Sequence, residues 1–164
     1  MRSLVVGNPM ALGSPLLQDR VPKAMALMSR LSLWGRTGQI YSEETFRHML
    51  AIERKRARLS NRSLFLLLVR FKGRSGSGVE IPPALAAILF SGLGLCVREI
   101  DFVGWHREGR LAGAVLAQGH TRPDAHAVTR IAERVTAVLR GRLPVTGDRT
   151  LDVRVIPLVR GESR

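Results

Sequence analysis

The segment REIDFVGWHREGRLAGAVLAQ, residues 98–118, predicts a β-hairpin around which the other elements can be arranged. Both of its arms carry apolar and β-favouring side chains, whereas its centre, residues 107–110, is polar. Gly109 supplies the positive φ that a tight turn between two strands requires. We therefore expect this hairpin to form the centre of one domain.

The sequence before the hairpin predicts a helix and a strand that can pack against it. Ser42 is followed by two glutamates, which is typical of a helix N-terminus, because the hydroxyl caps free backbone N–H groups and the acids complement the helix dipole. The apolar run LFLLLV, residues 64–69, is short and continuous. Such a run favours a strand that is buried on both faces.

Two further helices and a final strand are predicted around and after the hairpin. A proline pair opens a helix over residues 84–95, which is apolar on almost all sides and is therefore expected to be buried. Proline and aspartate begin a third helix over residues 123–139, which carries an apolar stripe. Alternation in LDVRVIPL, residues 151–158, predicts the last strand.

This order of elements predicts the fold class. Strands that alternate with covering helices indicate an α/β sandwich with a central mixed sheet, in which the β-hairpin is the antiparallel part. We assign the domain to residues 39–160 and treat residues 1–38 as a flexible or peripheral extension with a short helix at 24–33. No membrane span is expected, because the apolar segment 16–34 is interrupted by Asp19, Arg20, Pro22, Lys23 and Arg30.

Composition limits the partners and the compartment. The net charge is +13, but the basic residues are spread along the whole chain, aromatic residues are only 5%, and no nucleic-acid-binding motif is present, so we expect no specific nucleic acid. The single cysteine, Cys96, lies in an apolar run and indicates a reducing compartment, the cytoplasm. We predict no cofactor and no metal site, because metal-ligand spacing is missing among His48, His106, His120 and His126.

Several motifs resemble those of one family. The opening of the first helix and its charged positions, from Phe46 to Arg58, are similar to FxxxLxxExxRAxR, and LFLLLVRFK at 64–72 is similar to a strand LxLLLxDIDxFK. An RxxD motif, Arg98 to Asp101, stands five residues before REGRL at 107–111. In the GGDEF domain, the fold of bacterial diguanylate cyclases, an RxxD stands at that distance before the GGDEF turn. The chain resembles this family over residues 36–158, which implies a GGDEF or nucleotidyl-cyclase-like sandwich.

The resemblance also implies that the domain is degenerate and catalytically inactive. The family's metal-holding acids fall at Leu67, Val69 and Gly109, and its first two turn glycines fall at Arg107 and Glu108. The turn that stands in place of GGDEF therefore consists of Arg107, Glu108, Gly109, Arg110 and Leu111. Phosphoryl transfer between nucleotides relies on divalent cations, so we expect a site without carboxylate ligands to be inactive.

The RxxD motif implies a binding site for cyclic di-GMP. Arg98 presents a planar fork to guanine or phosphate, Asp101 accepts hydrogen bonds from guanine N–H groups, and Arg130 or Arg134 on the third helix can add a phosphate contact. The alternative is that Asp101 tethers the start of the hairpin strand and that Arg98 pairs with it at the surface. The chain contains a second RxxD, residues 149–152, without this context.

Three classes of function follow from these residues. The first is an inactive regulatory domain that binds cyclic di-GMP and signals to a protein partner or within a homodimer, in an exopolysaccharide or other cyclic di-GMP-linked pathway. The second is an interaction or scaffold domain that binds no nucleotide. The third is an enzyme with a divergent nucleotide site that uses Glu108.

Overall fold

The computed structural model describes residues 39–98, 100–118, 126–144 and 147–159. In these residues the chain forms, in order, β1 (Ile40–Tyr41), α1 (Glu43–Leu59), β2 (Leu64–Lys72), α2 (Pro83–Cys96), β3 (Phe102–Arg107), β4 (Leu111–Ala117), α3 (Ala127–Arg140) and β5 (Thr150–Val159). The predicted α/β class is confirmed. The extension 1–38 with its predicted helix, the predicted start of the third helix at 123–124, and His120 lie outside the described residues, and the domain boundary at 39 stays a prediction.

The strands form a five-stranded sheet in the order β1-β3-β4-β2-β5. β1 runs parallel to β3, whereas the other neighbouring pairs are antiparallel, so the sheet is mixed as predicted. β1 was not predicted, because two strand residues are too few to show an alternating pattern. β2 lies inside the sheet, between β4 and β5, and contributes to the cores on both faces, which explains its continuous apolar sequence.

Helices cover both faces of this sheet. On one face, α2 and α3 enclose the larger core with alternate residues of β2, namely Phe65, Leu67, Val69 and Phe71. On the other face, α1 packs on Leu64 and Leu66. Among the described helices, none is both long enough and apolar enough to cross a bilayer.

The hairpin of β3 and β4 is confirmed, and its turn is tight. The N–H of Arg110 donates to the carbonyl of Arg107 at 3.1 Å, and Gly109 adopts a φ of 66°. The strand prediction was wrong at the start of the segment, because β3 begins only at Phe102, and just before it the N–H of Asp101 donates to the carbonyl of Arg98 at 3.0 Å, as in a turn.

The packing of Phe46 sets the distance between α1 and the hairpin. Phe46 is completely buried and lies over Gly104 and Gly113, which pair across β3 and β4. A Cβ atom at Gly113 would lie 2.7 Å from Cζ of Phe46, and one at Gly104 would lie 2.5 Å from the carbonyl oxygen of Tyr41. The ring of Phe46 also meets that of Phe102 edge to face, with 5.4 Å between centroids. Only glycine therefore leaves room for α1 at this position.

The expected burial of the second helix is correct only on its inner side. In α2, Leu89 and Leu93 are fully buried, but Ile88 is 36% and Leu95 is 62% exposed. The sheet covers one side of the helix and α3 packs beside it, so the remaining side of α2 faces outward within the described structure. An apolar sequence on all sides shows that a helix can be buried, but it does not reveal how many elements are available to cover it.

The glycine pair provides a test of this packing. We expect Gly113→Ala to lower the free energy of unfolding by about 1–3 kcal/mol, because the new methyl group overlaps the ring of Phe46 in a closely packed core. Gly147→Ala is the matched control, since no atom lies within 4 Å of the added methyl group, and it should change stability by less than about 0.5 kcal/mol. Urea denaturation followed by circular dichroism measures both values, and equal stabilities would contradict the packing argument.

Candidate functional site

The Arg98–Asp101 turn is held to the hairpin by the carboxylate of Asp101. Its Oδ2 accepts a hydrogen bond from the backbone N–H of Arg98 at 2.8 Å, and its Oδ1 accepts one from the N–H of Ala117 at 3.0 Å. Asp101 is only 7% exposed. One side chain thus joins the turn before β3 to the last residue of β4, which is the tethering role considered for Asp101 as an alternative to ligand binding.

Burial makes the negative charge of Asp101 costly. Desolvation raises the pKa of this carboxyl above its usual value, although the two backbone hydrogen bonds and the positive charges of Arg98 and Arg134 oppose the shift. These hydrogen bonds and positive charges show that the Asp101 carboxylate is surrounded by donors and cations. Its two oxygens have enough lone pairs to accept hydrogen bonds from several groups at once.

All four predicted site residues line one cavity. Its volume is about 540 Å³, and its wall includes Arg98, Asp101, Arg130 and Arg134. Glu133 adds a second acid, so three arginines face two carboxylates. The prediction missed Glu133 as a wall residue, although it lies between the two α3 arginines in the sequence. A cavity of this size falls in the range of small-molecule sites.

The two α3 arginines reach the cavity because they are four residues apart on one side of that helix. The Nη2 of Arg134 donates to the carbonyl of Cys96 at 3.0 Å, which fixes the guanidinium at the end of α2. Cys96 itself lies in the wall, where its thiol donates to the carbonyl of Gly92 at 3.4 Å. Burial raises the pKa of the Cys96 thiol, so it remains protonated and behaves as a small apolar group.

The turn at 107–111 lies at the other end of the same hairpin. It is held from two sides, because the N–H of Glu108 donates to Oε2 of Glu43 at 2.7 Å and the N–H of Ile81 donates to the carbonyl of Gly109 at 2.7 Å. Glu43 also pairs with Arg47 at 2.8 Å. The side chains of Arg107, Glu108 and Arg110 are exposed there, whereas Leu111 is half-buried.

A divalent cation does not fit the positions that the resemblance assigns to metal ligands. Leu67 and Val69 are completely buried alkyl side chains and Gly109 has none, so none of the three offers a side-chain oxygen. Within residues 39–98, 100–118, 126–144 and 147–159, no three acidic, histidine or cysteine side chains are grouped closely enough to hold a metal ion. Nearby His106 packs against Phe46, and burial, together with the charge of Arg47, lowers its pKa.

The second RxxD motif lies in a cluster of ion pairs. Oδ2 of Asp152 is 2.8 Å from Nε of Arg70, 3.2 Å from Nζ of Lys72 and 3.3 Å from Nε of Arg154. Burial alone would raise the pKa of Asp152, but the hydrogen bonds from Arg70 and Lys72 and the charge of Arg154 hold that pKa below its usual value. Asp152 therefore joins β2 to β5 and is not among the residues that line the cavity.

Comparisons with known proteins identify the fold. No family model matches the sequence, and no curated protein matches it. Among solved structures, a DGC protein from Thermotoga maritima is 17% identical with a TM-score of 0.55, covering 73% of this chain and 82% of its own. The GGDEF domain of TpbB or YfiN from Pseudomonas aeruginosa is 15% identical with a TM-score of 0.53, covering 74% and 73%.

A third similar structure was solved with a protein bound to it. The diguanylate cyclase SiaD from Pseudomonas aeruginosa, in complex with its activator SiaC, is 17% identical with a TM-score of 0.54. The match covers 86% of this chain and 56% of SiaD. The chain therefore has the GGDEF-domain fold, as its motifs predicted, and these identities support the fold alone.

Substitution of Asp101 tests the tether. We expect Asp101→Asn to lower the free energy of unfolding by about 1–3 kcal/mol at pH 4, because both oxygens of the carboxyl can accept a hydrogen bond even when it is protonated, whereas the NH2 group of the amide cannot accept and leaves one backbone N–H unpaired. Folding raises the pKa of Asp101 above its value in the unfolded chain. The contribution of Asp101 to the free energy of unfolding is therefore greatest at a pH below the unfolded-state pKa, and it declines as the pH rises through the folded-state pKa. The difference between the two proteins should therefore be smaller at pH 8.

Asp148→Asn is the control for this experiment. Asp148 also loses one negative charge, but it is an exposed residue that pairs with Arg74, so its substitution should cost less than about 1 kcal/mol. Urea denaturation at several pH values gives the comparison. If Asp101→Asn and Asp148→Asn have equal free energies of unfolding at pH 4, the hydrogen bonds of Asp101 do not stabilise the fold.

Proposed function

We propose that this GGDEF-fold domain is a catalytically inactive regulatory module that binds cyclic di-GMP in the cavity beside its RxxD turn and signals this state to a protein partner. One observation supports the proposal most directly: Arg98, Asp101, Arg130 and Arg134, which come from two separate segments, all line one cavity of about 540 Å³. The two segments are about 30 residues apart in the chain, so their positions in the sequence alone do not require these side chains to meet.

The chemistry of the cavity suits a ligand with phosphates and guanine bases. Arginine binds phosphate oxygens and the O6 and N7 acceptors of guanine through paired N–H donors. Both oxygens of Asp101 already accept one backbone N–H, but a carboxylate oxygen has a second lone pair that can accept from a guanine N–H. The tethering and ligand-binding roles of Asp101 are therefore compatible, and the tether places the carboxylate before the ligand arrives.

The proposed inactivity is supported by the lack of metal-binding oxygen atoms around the hairpin turn. Leu67, Val69 and Gly109 lack oxygen ligands, and the exposed carboxylate of Glu108 is the acid that the turn itself contributes. One exposed carboxylate is a weak site for a cation that has to neutralise transferring phosphates. We therefore disfavour an enzyme built on Glu108. The cytoplasmic location expected from the single cysteine belongs to this proposal as well.

A scaffold domain without a nucleotide is the second candidate. The observation that favours it is the tether, because two backbone hydrogen bonds give Asp101 a structural reason to be present without any ligand. A protein partner fits both candidates, and SiaD, which shares the fold, was solved in complex with its activator SiaC. Nucleotide binding therefore separates the two candidates.

Calorimetric titration tests cyclic di-GMP binding. We expect saturable binding to the full chain at moderate salt, and Arg98→Ala should weaken it about tenfold or more through the loss of a paired arginine contact. The variant retains the backbone N–H that donates to Asp101, so the turn should remain intact.

Arg149→Ala is the matched control for Arg98→Ala. It removes the same charge from the second RxxD motif, where Arg149 is exposed and not part of the cavity wall. Its affinity should equal that of the parent, which excludes a general attraction between the ligand and a chain of net charge +13. No binding to the parent, or equal weakening by both substitutions, would overturn the proposed site and leave the scaffold candidate.

Turnover is a separate measurement. Incubation of the purified chain with GTP and Mg²⁺ should yield no cyclic di-GMP, because the buried alkyl side chains of Leu67 and Val69 cannot hold the cation. Chromatography of the nucleotides, with an active diguanylate cyclase in parallel, provides the assay. Formation of cyclic di-GMP by this chain would contradict the inactive assignment, whatever the outcome of the titration.

A further inference from the structure

The C-terminal part of α1 carries a strongly basic surface. The sequence RKRARLSNR, residues 54–62, contains five basic residues and no acidic one. All five basic side chains are exposed. The preceding acid, Glu53, pairs with Arg56 at 2.8 Å. The segment therefore carries four positive charges in addition to this ion pair.

These charges lie on the side of α1 that faces away from the sheet. Phe46 and Ala57 are the buried residues of the helix and mark the side that packs on the sheet. An α-helix turns by about 100° per residue, so Lys55, Arg58 and Leu59 fall on the outward side. Their exposure agrees with this placement.

An exposed leucine lies among the basic residues. Leu59 is 80% exposed, more than any other large hydrophobic residue of the described structure. The helix end that carries it is capped, because Asn61 adopts a φ of 51° and the N–H of Arg62 donates to the carbonyl of Ala57 at 2.9 Å. The cap fixes the backbone that presents Leu59 and Arg62. We define the α1 basic face as Arg54, Lys55, Arg58, Leu59 and Arg62.

Positive charges around one apolar side chain are complementary to an anionic lipid surface. Lysine and arginine are attracted to acidic headgroups, and an apolar side chain beside them can be buried at the boundary with the acyl chains. A nucleic acid would satisfy the charges but would not bury the leucine. In addition, residues 54–62 contain no aromatic side chain on which a base could stack. The pattern therefore favours a lipid surface over a nucleic acid.

The α1 basic face and the cavity belong to opposite faces of the sheet. α1 packs on Leu64 and Leu66. The cavity wall includes Cys96, Leu116 and Ile131, which pack in the core on the other face. Docking through α1 therefore leaves the cavity uncovered, and it does not depend on nucleotide binding.

We propose that the α1 basic face docks this domain peripherally on an anionic membrane surface, with Leu59 inserted among the lipid headgroups. The basic residues supply an electrostatic attraction that weakens as salt is added. Burial of Leu59 adds an apolar contribution that salt does not screen. Peripheral docking of this kind requires no membrane-crossing helix.

Sedimentation with lipid vesicles tests the docking. At moderate salt, the full chain should bind vesicles of phosphatidylcholine mixed with phosphatidylglycerol and should not bind vesicles of phosphatidylcholine alone. Lys55→Gln together with Arg58→Gln should lower the partition coefficient about 30-fold, because two attractions to acidic headgroups are lost. Both side chains are exposed, so the domain should remain folded, which circular dichroism checks.

Arg140→Gln together with Arg149→Gln is the matched control. It removes the same charge from two exposed residues away from the α1 basic face. Arg140 ends α3, on the other face of the sheet, and Arg149 precedes the end of β5 that pairs with Lys72 rather than with Leu64. The partition coefficient should change by less than about threefold, because charges held away from the membrane are screened by salt.

A fluorescent label at position 59 tests the insertion. Leu59→Cys provides an exposed thiol for an environment-sensitive fluorophore, whereas Cys96 is buried. The emission of this label should shift to the blue when anionic vesicles are added. The same label on Arg149→Cys is the control and should show no shift.

Several results would overturn the proposal. One is equal binding of the full chain to neutral and anionic vesicles, and another is equal weakening by the two double substitutions. Anionic vesicles that leave the emission of the label at position 59 unchanged would also contradict it. Finally, if the full chain fails to bind anionic vesicles but binds single-stranded RNA, and Lys55→Gln with Arg58→Gln abolishes that binding, the surface binds nucleic acid instead.

Discussion

The close approach of α1 to the hairpin depends on the absence of two side chains. Phe46 is completely buried over the paired glycines of β3 and β4, and a methyl group on either glycine would overlap the ring or the backbone of β1. Because α1 is held at this distance, Glu43 at its first turn can accept the N–H of Glu108 and fix the hairpin turn. A single aromatic ring thus places the helix, the short first strand and the turn relative to one another.

The two regions that resemble the GGDEF family lie at opposite ends of one hairpin. The turn, where the resemblance would require metal ligands, is held by the N–H of Ile81, which donates to the carbonyl of Gly109, and by the carboxylate of Glu43, which accepts the N–H of Glu108. The other end is held by Asp101, whose carboxylate joins the preceding turn to Ala117. The two ends are held by different contacts, and the residues that hold the cavity end are not those of the turn, so the cavity does not depend on a carboxylate at positions 67, 69 or 109. A binding role without catalysis is therefore physically consistent.

Much of the fold could be predicted from the sequence, for identifiable reasons. The hairpin was predictable because Gly109 and the flanking apolar residues specify a turn and two strands locally. Arg130 and Arg134 were predicted to join the RxxD motif, and they do line the same cavity. The first strand of the hairpin was predicted to start four residues too early, at Arg98. The RxxD sequence has no local feature that distinguishes a strand from a turn, and here the turn is stabilised by the N–H of Ala117, which is distant in the chain. β1 was missed because its two residues form a strand only through pairing with β3.

The sequence by itself determined the three helices, the hairpin and the strands β2 and β5, their order, and the absence of carboxylates at 67, 69 and 109, because these depend on local propensity, periodicity and residue identity. Only the tertiary structure decided that Asp101 is buried and bonded to Ala117, that three arginines face one cavity, and that one side of α2 lacks a cover in the described residues. Each of these three facts depends on which parts of different helices and strands come into contact. Contacts between residues far apart in the chain depend on the packing of whole elements, which a local sequence pattern does not encode.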